Sequence, residues 1–177
     1  ANIGDGSMGR GPVLEALNMA GMGQLTELWQ DDMKGGLPVI FNVNNNSYGM
    51  GGQTRGETMG YDMLARIGAG VSPTQLHAER VDGYNPLAVI DAMRRKKEIL
   101  ENGDGPVLLD VLTYRVTGHS PSDASSYRTQ EEIDAWIEQD VLKSYSAKLI
   151  DAKIATREEF DAILADVKDL ITRACAL

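Results

Sequence analysis

The sequence predicts an α/β fold: a mostly parallel sheet with flanking helices, followed by a helical C-terminal extension. Three observations carry that prediction. Short apolar runs bounded by turn residues alternate with helix-period stretches through the first two thirds of the 177 residues. A glycine-rich turn, Gly4-Asp5-Gly6-Ser7, sits where the first strand signal gives way to helix. Beyond Arg128 the pattern is helical alone. Strands that alternate with helices favour a parallel sheet covered on both faces.

Taken in order, Asn2-Ile3 feeds the glycine turn, and residues 12–22 read as the first helix. Pro12 suits the start of that helix, where its missing N–H would have no partner anyway. Residues 38–43 (PVIFNV) read as a strand buried on both faces, between Gly35-Gly36 and Asn44-Asn45-Asn46. A short helix is expected at 61–67 and a short strand at 78–82. A longer helix follows at 86–100, with Leu87, Ile90, Met93 and Leu100 on one side. Its run Arg94-Arg95-Lys96-Lys97 fits the cationic last turns of a helix. Residues 106–113 (PVLLDVLT) form the next buried strand. After a polar loop, Ile133, Trp136, Ile137, Val141 and Tyr145 form one apolar stripe. Phe160, Ile163, Leu164, Val167, Leu170, Ile171 and Ala174 form a second, behind a capping box at Thr156-Arg157-Glu158-Glu159. The expected division is residues 1–130 as a partial α/β domain and 131–177 as a helical extension packed on it.

Composition narrows the function. With 17 basic and 26 acidic side chains the net charge is −9, which offers no basic surface for nucleic acid. Cys175 is the single cysteine, so no internal disulfide can form and a reducing compartment is expected. No apolar run approaches the roughly 20 residues that span a bilayer. Two histidines, His77 and His119, and one cysteine make no zinc cluster, so an expected metal is a hard one held by oxygen.

The chemistry concentrates in two turns, each just after a strand. Glycines at 4 and 6 let backbone approach a phosphate, and the helix that follows favours an anion. An aspartate between them would repel that phosphate unless a cation intervened. Asn44-Asn45-Asn46-Ser47-Tyr48-Gly49 offers amide and carbonyl oxygens for the same cation. One carboxylate, one amide, one carbonyl, a water and two phosphate oxygens complete an octahedral Mg²⁺ shell.

GDGS followed by NNNSYGMGG resembles the thiamine-diphosphate motif, which opens with Gly-Asp-Gly and closes with Asn-Asn. Arg80-Val81-Asp82-Gly83, Gly105-Pro106-Val107-Leu108, Thr113-Tyr114-Arg115 and the stretch from Gly118-His119-Ser120 to Tyr127-Arg128-Thr129 are similar to the alpha subunit of 2-oxoacid dehydrogenases of the pyruvate or branched-chain type. The likeness runs from about residue 2 to residue 140. It implies the thiamine-diphosphate-binding fold, in its diphosphate-binding domain, and oxidative decarboxylation of a 2-oxoacid with acyl transfer to a lipoyl group. It also implies roles residue by residue. Asp5, the Asn46 side chain and the Tyr48 carbonyl would hold Mg²⁺, with Gly6 and Ser7 against the diphosphate. His119 matches the catalytic loop histidine, which assists cofactor positioning and acyl transfer. Ser120 matches a serine phosphorylated in some members, where two added charges beside a diphosphate would inhibit. Arg115, Asp123, Tyr127 and Arg128 match residues that order the loop. His77 lies outside these motifs.

Two positions depart from the family pattern. Thr117 stands where many relatives carry a further histidine. The 41 positions from Asp5 to Asn46 exceed the usual spacing by about three helical turns. The surplus falls in residues 23–36, where Leu25, Leu28 and Trp29 read as a short amphipathic excursion suited to a packed surface or a partner contact. Partners implied by the resemblance are a beta subunit or fused second region, bringing the glutamate that activates the cofactor, and a lipoyl-bearing acyltransferase. The implied location is the cytoplasm, or the mitochondrial matrix in a eukaryote. Because residues 1–4 read as a strand end entering the motif, a C-terminal fragment or half of a divided polypeptide is expected, inactive alone. The alternatives are another thiamine enzyme, of acetoin dehydrogenase or transketolase-like type, and a non-catalytic subunit.

Overall fold

The computed structural model describes residues 1–27 and 29–176. The chain divides into two compact units, Ala1–Ile137 and Glu138–Leu177.

In the first unit the elements run β1 (Asn2–Gly4), a 3₁₀ turn (Asp5–Ser7), α1 (Gly11–Ala20), α2 (Gln24–Glu27), β2 (Ile40–Asn45), α3 (Ala65–Val71), β3 (His77–Asp82), α4 (Pro86–Glu101), β4 (Val107–Leu112) and α5 (Gln130–Glu138), whose last residue crosses the boundary. All strand pairings are parallel, in the order β1-β2-β4-β3. The expected α/β architecture is thus the observed one. Gly4 pairs with Asn44, so the turns leaving β1 and β2 emerge side by side at the carboxyl edge of the sheet.

Alternation along the strands divides the core. Phe41, Val43 and Leu108 point to one face, where they pack with Met8, Leu17, Ala20, Leu64 and Leu76 from α1, α3 and their flanking loops. Leu109 and Val81 point to the other, against Ala92 of α4. β2 is therefore buried on one face only: Ile40 and Asn42 are half-buried and Asn44 is exposed. Ile40, Val89, Met93 and Val111 line an open groove of about 390 Å³ on that side.

α4 begins as its sequence dictates, with Pro86 in the first turn and Asn85 Oδ1 accepting from the Ala88 N–H at 3.3 Å. Its packed face differs from the expected one. Ala88, Val89 and Ala92 meet the sheet, while Leu87, Ile90 and Met93 are exposed at 60%, 45% and 40%. Small residues four apart allow a close approach that larger neighbours would block. The basic run also lies before the final turn. Arg95 makes a two-pronged contact with Glu79 of β3 at 2.6 Å per bond, and Lys96 Nζ reaches the same carboxylate at 3.2 Å.

Boundaries shift elsewhere. The helix expected at 61–67 forms at Ala65–Val71, and the strand expected at 38–43 at Ile40–Asn45. Of the 23–36 excursion, α2 is described, Trp29 is 44% exposed, and the side chains of Leu25 and Leu28 lie outside the described residues. Its end is pinned by glycine on glycine. The Gly36 N–H donates to the Gly103 carbonyl at 2.7 Å, and a Cβ at Gly36 would fall 1.7 Å from Gly105 Cα.

In the second unit, α6 (Val141–Asp151) is capped by Asp140, whose carboxylate accepts from the Leu142 N–H at 2.9 Å. The stripe that reads through 133–145 is thus broken between α5 and α6. α7 (Arg157–Cys175) carries the expected capping box. Glu159 N–H donates to Thr156 Oγ1 at 3.2 Å, and Thr156 N–H to Glu159 Oε2 at 2.7 Å.

Candidate functional site

Where β1 ends, the chain tightens into the 3₁₀ turn and carries the Asp5 side chain inward, to 1% exposure. Asp5 Oδ2 accepts from Thr54 Oγ1 at 2.7 Å. Burial pushes this carboxyl above its ordinary value, against the Thr54 hydroxyl and the backbone N–H groups of Gly6, Asp5 and Ser47, which pull it down. No ion pair reaches Asp5 among the described residues. Neither neighbouring glycine is demanded by packing: a Cβ at Gly4 would meet nothing within 4 Å, and one at Gly6 would make ordinary contacts with Gly49 and Thr54 at 3.5 and 3.6 Å. The open space at the carboxyl edge of the sheet lies beside Gly4. Ser7, also expected against the diphosphate, is exposed beside it.

The second turn folds around a left-handed residue. Ser47 has φ 66°, and the Tyr48 N–H donates to Asn46 Oδ1 at 2.9 Å, which fixes that amide. Thr54 N–H donates to the Ser47 carbonyl at 2.9 Å and Gly49 N–H to the Gly52 carbonyl at 2.8 Å, so the chain doubles back and sets Thr54 against Asp5. The structure thus brings Asp5, Gly6, Asn46 and Tyr48 together at adjoining strand ends. Among the described residues no group of three or more His, Cys, Asp or Glu could hold a metal. Any cation here relies on a single carboxylate with amide and carbonyl oxygens.

The loop after β4 is tied to this turn by a relay of hydrogen bonds. Arg115 Nη1 donates to the Gly49 carbonyl at 2.9 Å, and Arg115 Nη2 to Tyr127 Oη at 2.7 Å. Tyr127 donates in turn to Asp123 Oδ2 at 2.6 Å, which also accepts the His119 N–H at 2.8 Å. The Tyr127 hydroxyl, then the N–H groups of His119 and Ser125, hold the Asp123 carboxyl down at about 2. Arg128, 8% exposed, donates to the carbonyls of Arg115 and Thr117 and to Ser125 Oγ. Its guanidinium lies 5.3 Å from the Tyr48 ring centroid and 5.5 Å from those of Tyr114 and Tyr127. All four expected loop-ordering residues share one network. The His119 and Ser120 side chains stand outside it: both residues are exposed, and Ser120 Oγ meets Ser122 Oγ at 3.1 Å.

Sequence reading missed Thr54, which no motif marks, and Glu132. Glu132 Oε1 accepts from Tyr48 Oη at 2.5 Å and Tyr114 Oη at 3.0 Å. Burial, then the Glu132 hydrogen bond, raise both phenols, Tyr48 the more strongly. The available signal was Thr129-Gln130-Glu131-Glu132, which has capping-box spacing.

Comparison with known proteins identifies the family. A family profile described as "Dehydrogenase E1 component" matches residues 1–177. The chain is 36% identical over 178 residues to the mitochondrial pyruvate dehydrogenase E1 component subunit alpha of Dictyostelium discoideum, covering 98% of this chain and 42% of that protein. It is 35% identical over 172 residues to the pyruvate dehydrogenase E1 component subunit alpha of Rhizobium meliloti, covering 97% and 45%. For the probable mitochondrial counterpart of Caenorhabditis elegans the identity is 34% over 173 residues, covering 97% and 39%. The chain spans less than half the length of these curated relatives. With the glycine-aspartate turn, the asparagine turn and the ordered loop all in place across that span, the chain belongs to the dehydrogenase E1 component family.

Proposed function

We propose that this chain is the diphosphate-binding part of a thiamine-diphosphate-dependent 2-oxoacid dehydrogenase, acting on pyruvate or a branched-chain oxoacid. The observation that carries the reading is the Asp5 carboxylate, buried without a cationic partner among the described residues and backed onto the asparagine turn. A buried anion of this kind is costly unless a cation compensates it. Mg²⁺ held by Asp5, the Asn46 amide and the Tyr48 carbonyl would provide that compensation, with Gly6 and Ser7 against the diphosphate. The neutral and anionic donor set suits a hard cation.

Bound there, thiamine diphosphate supplies the electron sink for decarboxylation. The chain's own residues bind and orient. Asp5 and Asn46 fix the metal end, and the Arg115–Tyr127–Asp123 relay orders the loop. His119, exposed on that loop, would assist acyl transfer to a lipoyl group on an acyltransferase partner. A beta subunit or fused second region would complete the site, in the cytoplasm or mitochondrial matrix.

Calorimetry on the full-length protein, assembled with its partner chain, tests the reading. Thiamine diphosphate should bind with Mg²⁺ and bind far more weakly in EDTA. Binding indifferent to the metal would refute it. An oxoacid panel, with acetoin and sugar phosphates as competitors, separates this reading from other thiamine enzymes.

A further inference from the structure

We propose that Glu132 is a positioning residue that holds the Tyr48 turn in register with the loop carrying His119; this rests on the thiamine-diphosphate reading of that turn. A single carboxylate oxygen collects two phenols from different segments. Tyr48 lies two residues beyond Asn46, and its own carbonyl is among the proposed Mg²⁺ donors. Tyr114 lies two residues past the end of β4 and opens the loop. Tyr48 is 8% exposed, so loss of its acceptor would strand a buried hydroxyl.

The local sequence shows that this arrangement is not incidental. Thr129 and Glu132 have the same spacing as the Thr156–Glu159 capping box, and the first half of the box forms: Glu132 N–H donates to Thr129 Oγ1 at 3.2 Å. The second half does not. Glu159 returns its carboxylate to its own helix start, whereas Glu132 sends its carboxylate across to the tyrosines. One turn further along α5, Trp136 stacks on Tyr114 with ring centroids 5.0 Å apart and planes 7° from parallel. The ring of Tyr48 meets Tyr114 edge-on at 6.0 Å. One face of α5 therefore grips both tyrosines, while the Arg115 relay ties the adjoining Gly49 carbonyl to the other side of the loop. The turn is fixed to the loop through the Arg115–Gly49 bond, through Arg128 and Tyr127 packed on the Tyr48 ring, and through Glu132, which alone of these accepts from both Tyr48 and Tyr114.

The test uses the full-length protein with its partner chain and four variants: Glu132→Ala, Glu132→Gln, Tyr48→Phe and the Glu132→Ala/Tyr48→Phe double substitution. Two readouts are taken: calorimetric binding of thiamine diphosphate with Mg²⁺, and tryptic cleavage of the cofactor-free protein at Arg115 and Arg128. Cleavage at Arg94 and Arg95 reports general unfolding and serves as the control. Glu132→Ala should weaken binding about tenfold and speed cleavage at the two loop arginines selectively by a similar factor. Glu132→Gln, whose amide oxygen keeps the acceptor, should stay within about threefold of wild type. The double variant should be no worse than the worse single one, since both remove the same bond. Unchanged loop cleavage in Glu132→Ala, failure of Gln to restore it, or selective cleavage with unchanged cofactor affinity would each overturn the proposal. If the wild-type protein bound no thiamine diphosphate with Mg²⁺, the functional reading would fall. Loop-selective cleavage would still decide whether Glu132 joins turn to loop.

Discussion

Thr54 donates its hydroxyl hydrogen to Asp5 at 2.7 Å, and the two residues are 0% and 1% exposed. The bond orients the Asp5 carboxylate and joins the glycine turn after β1 to the returning segment of the asparagine turn. Groups that orient a metal ligand commonly matter nearly as much as the ligand itself. Thr54→Val keeps the shape and removes the donor. It should cost about 1–3 kcal/mol in urea denaturation, the cost of an unpaired buried acceptor. Mg²⁺-dependent cofactor affinity should fall about tenfold. An unchanged denaturation midpoint would show that the bond does not matter.

Asp5→Asn separates binding from folding. The amide oxygen still accepts from Thr54, while the uncompensated buried charge is gone. Thermal melting of the cofactor-free protein should occur at the same temperature or higher, and Mg²⁺-dependent binding should be lost. A lower melting temperature would make Asp5 a structural carboxylate rather than a metal ligand.

His119→Ala should leave stability within about 0.5 kcal/mol, because the residue is exposed and only its backbone N–H is bonded within the loop. In the assembled enzyme it should impair acyl transfer to the lipoyl group more than decarboxylation read with an artificial electron acceptor. Equal losses in the two assays would contradict a role after decarboxylation.

Asp123 sets the acid limit of the loop. Its carboxyl sits at about 2 in the folded chain against 3.8 ordinarily, so the folded state favours the ionised form. Its contribution is fully present above the ordinary value and is lost as pH falls through the folded one. Hydrogen exchange across residues 118–128 should therefore show constant protection from pH 5 to pH 8. Protection should fall selectively between about pH 4 and pH 2, and Asp123→Asn should abolish that step. A loss of protection centred well above pH 4 would contradict the assignment to Asp123.

The strands were legible because each is a short apolar run between turn residues, and the two turns of the site because each follows a strand. That these turns adjoin follows from parallel pairing of β1 with β2, which brings Gly4 beside Asn44. Arg115, Asp123, Tyr127 and Arg128 were legible only through their family resemblance. Their hydrogen-bond relay is a matter of three-dimensional position. Glu132 was hidden by its own spacing, which spells a helix cap while the carboxylate serves elsewhere. Thr54 carried no signal, since nothing local marks a threonine whose partner lies far back in the chain. On α4 the largest apolar residues are not the ones that meet the sheet; Ala88, Val89 and Ala92 make that contact, because close packing selects smaller side chains where helix and sheet backbones approach.

The strand order has a consequence for the path by which the chain reaches this state. β4 lies between β2 and β3, both of which precede it in the sequence, so those two strands have no direct pairing to form while they wait for it. The bonds that build the site span 49 residues from Thr54 to Asp5, 66 from Arg115 to Gly49 and 84 from Glu132 to Tyr48. Long separations of this kind delay the return on loop closure and slow folding. On a ribosome, the Asp5 and Asn46 turns emerge well before the strand and helix that hold them in place. Competence to bind would arrive as one late, cooperative event rather than turn by turn, and until then the strands flanking the β4 position would stay open to pairing with the wrong chain.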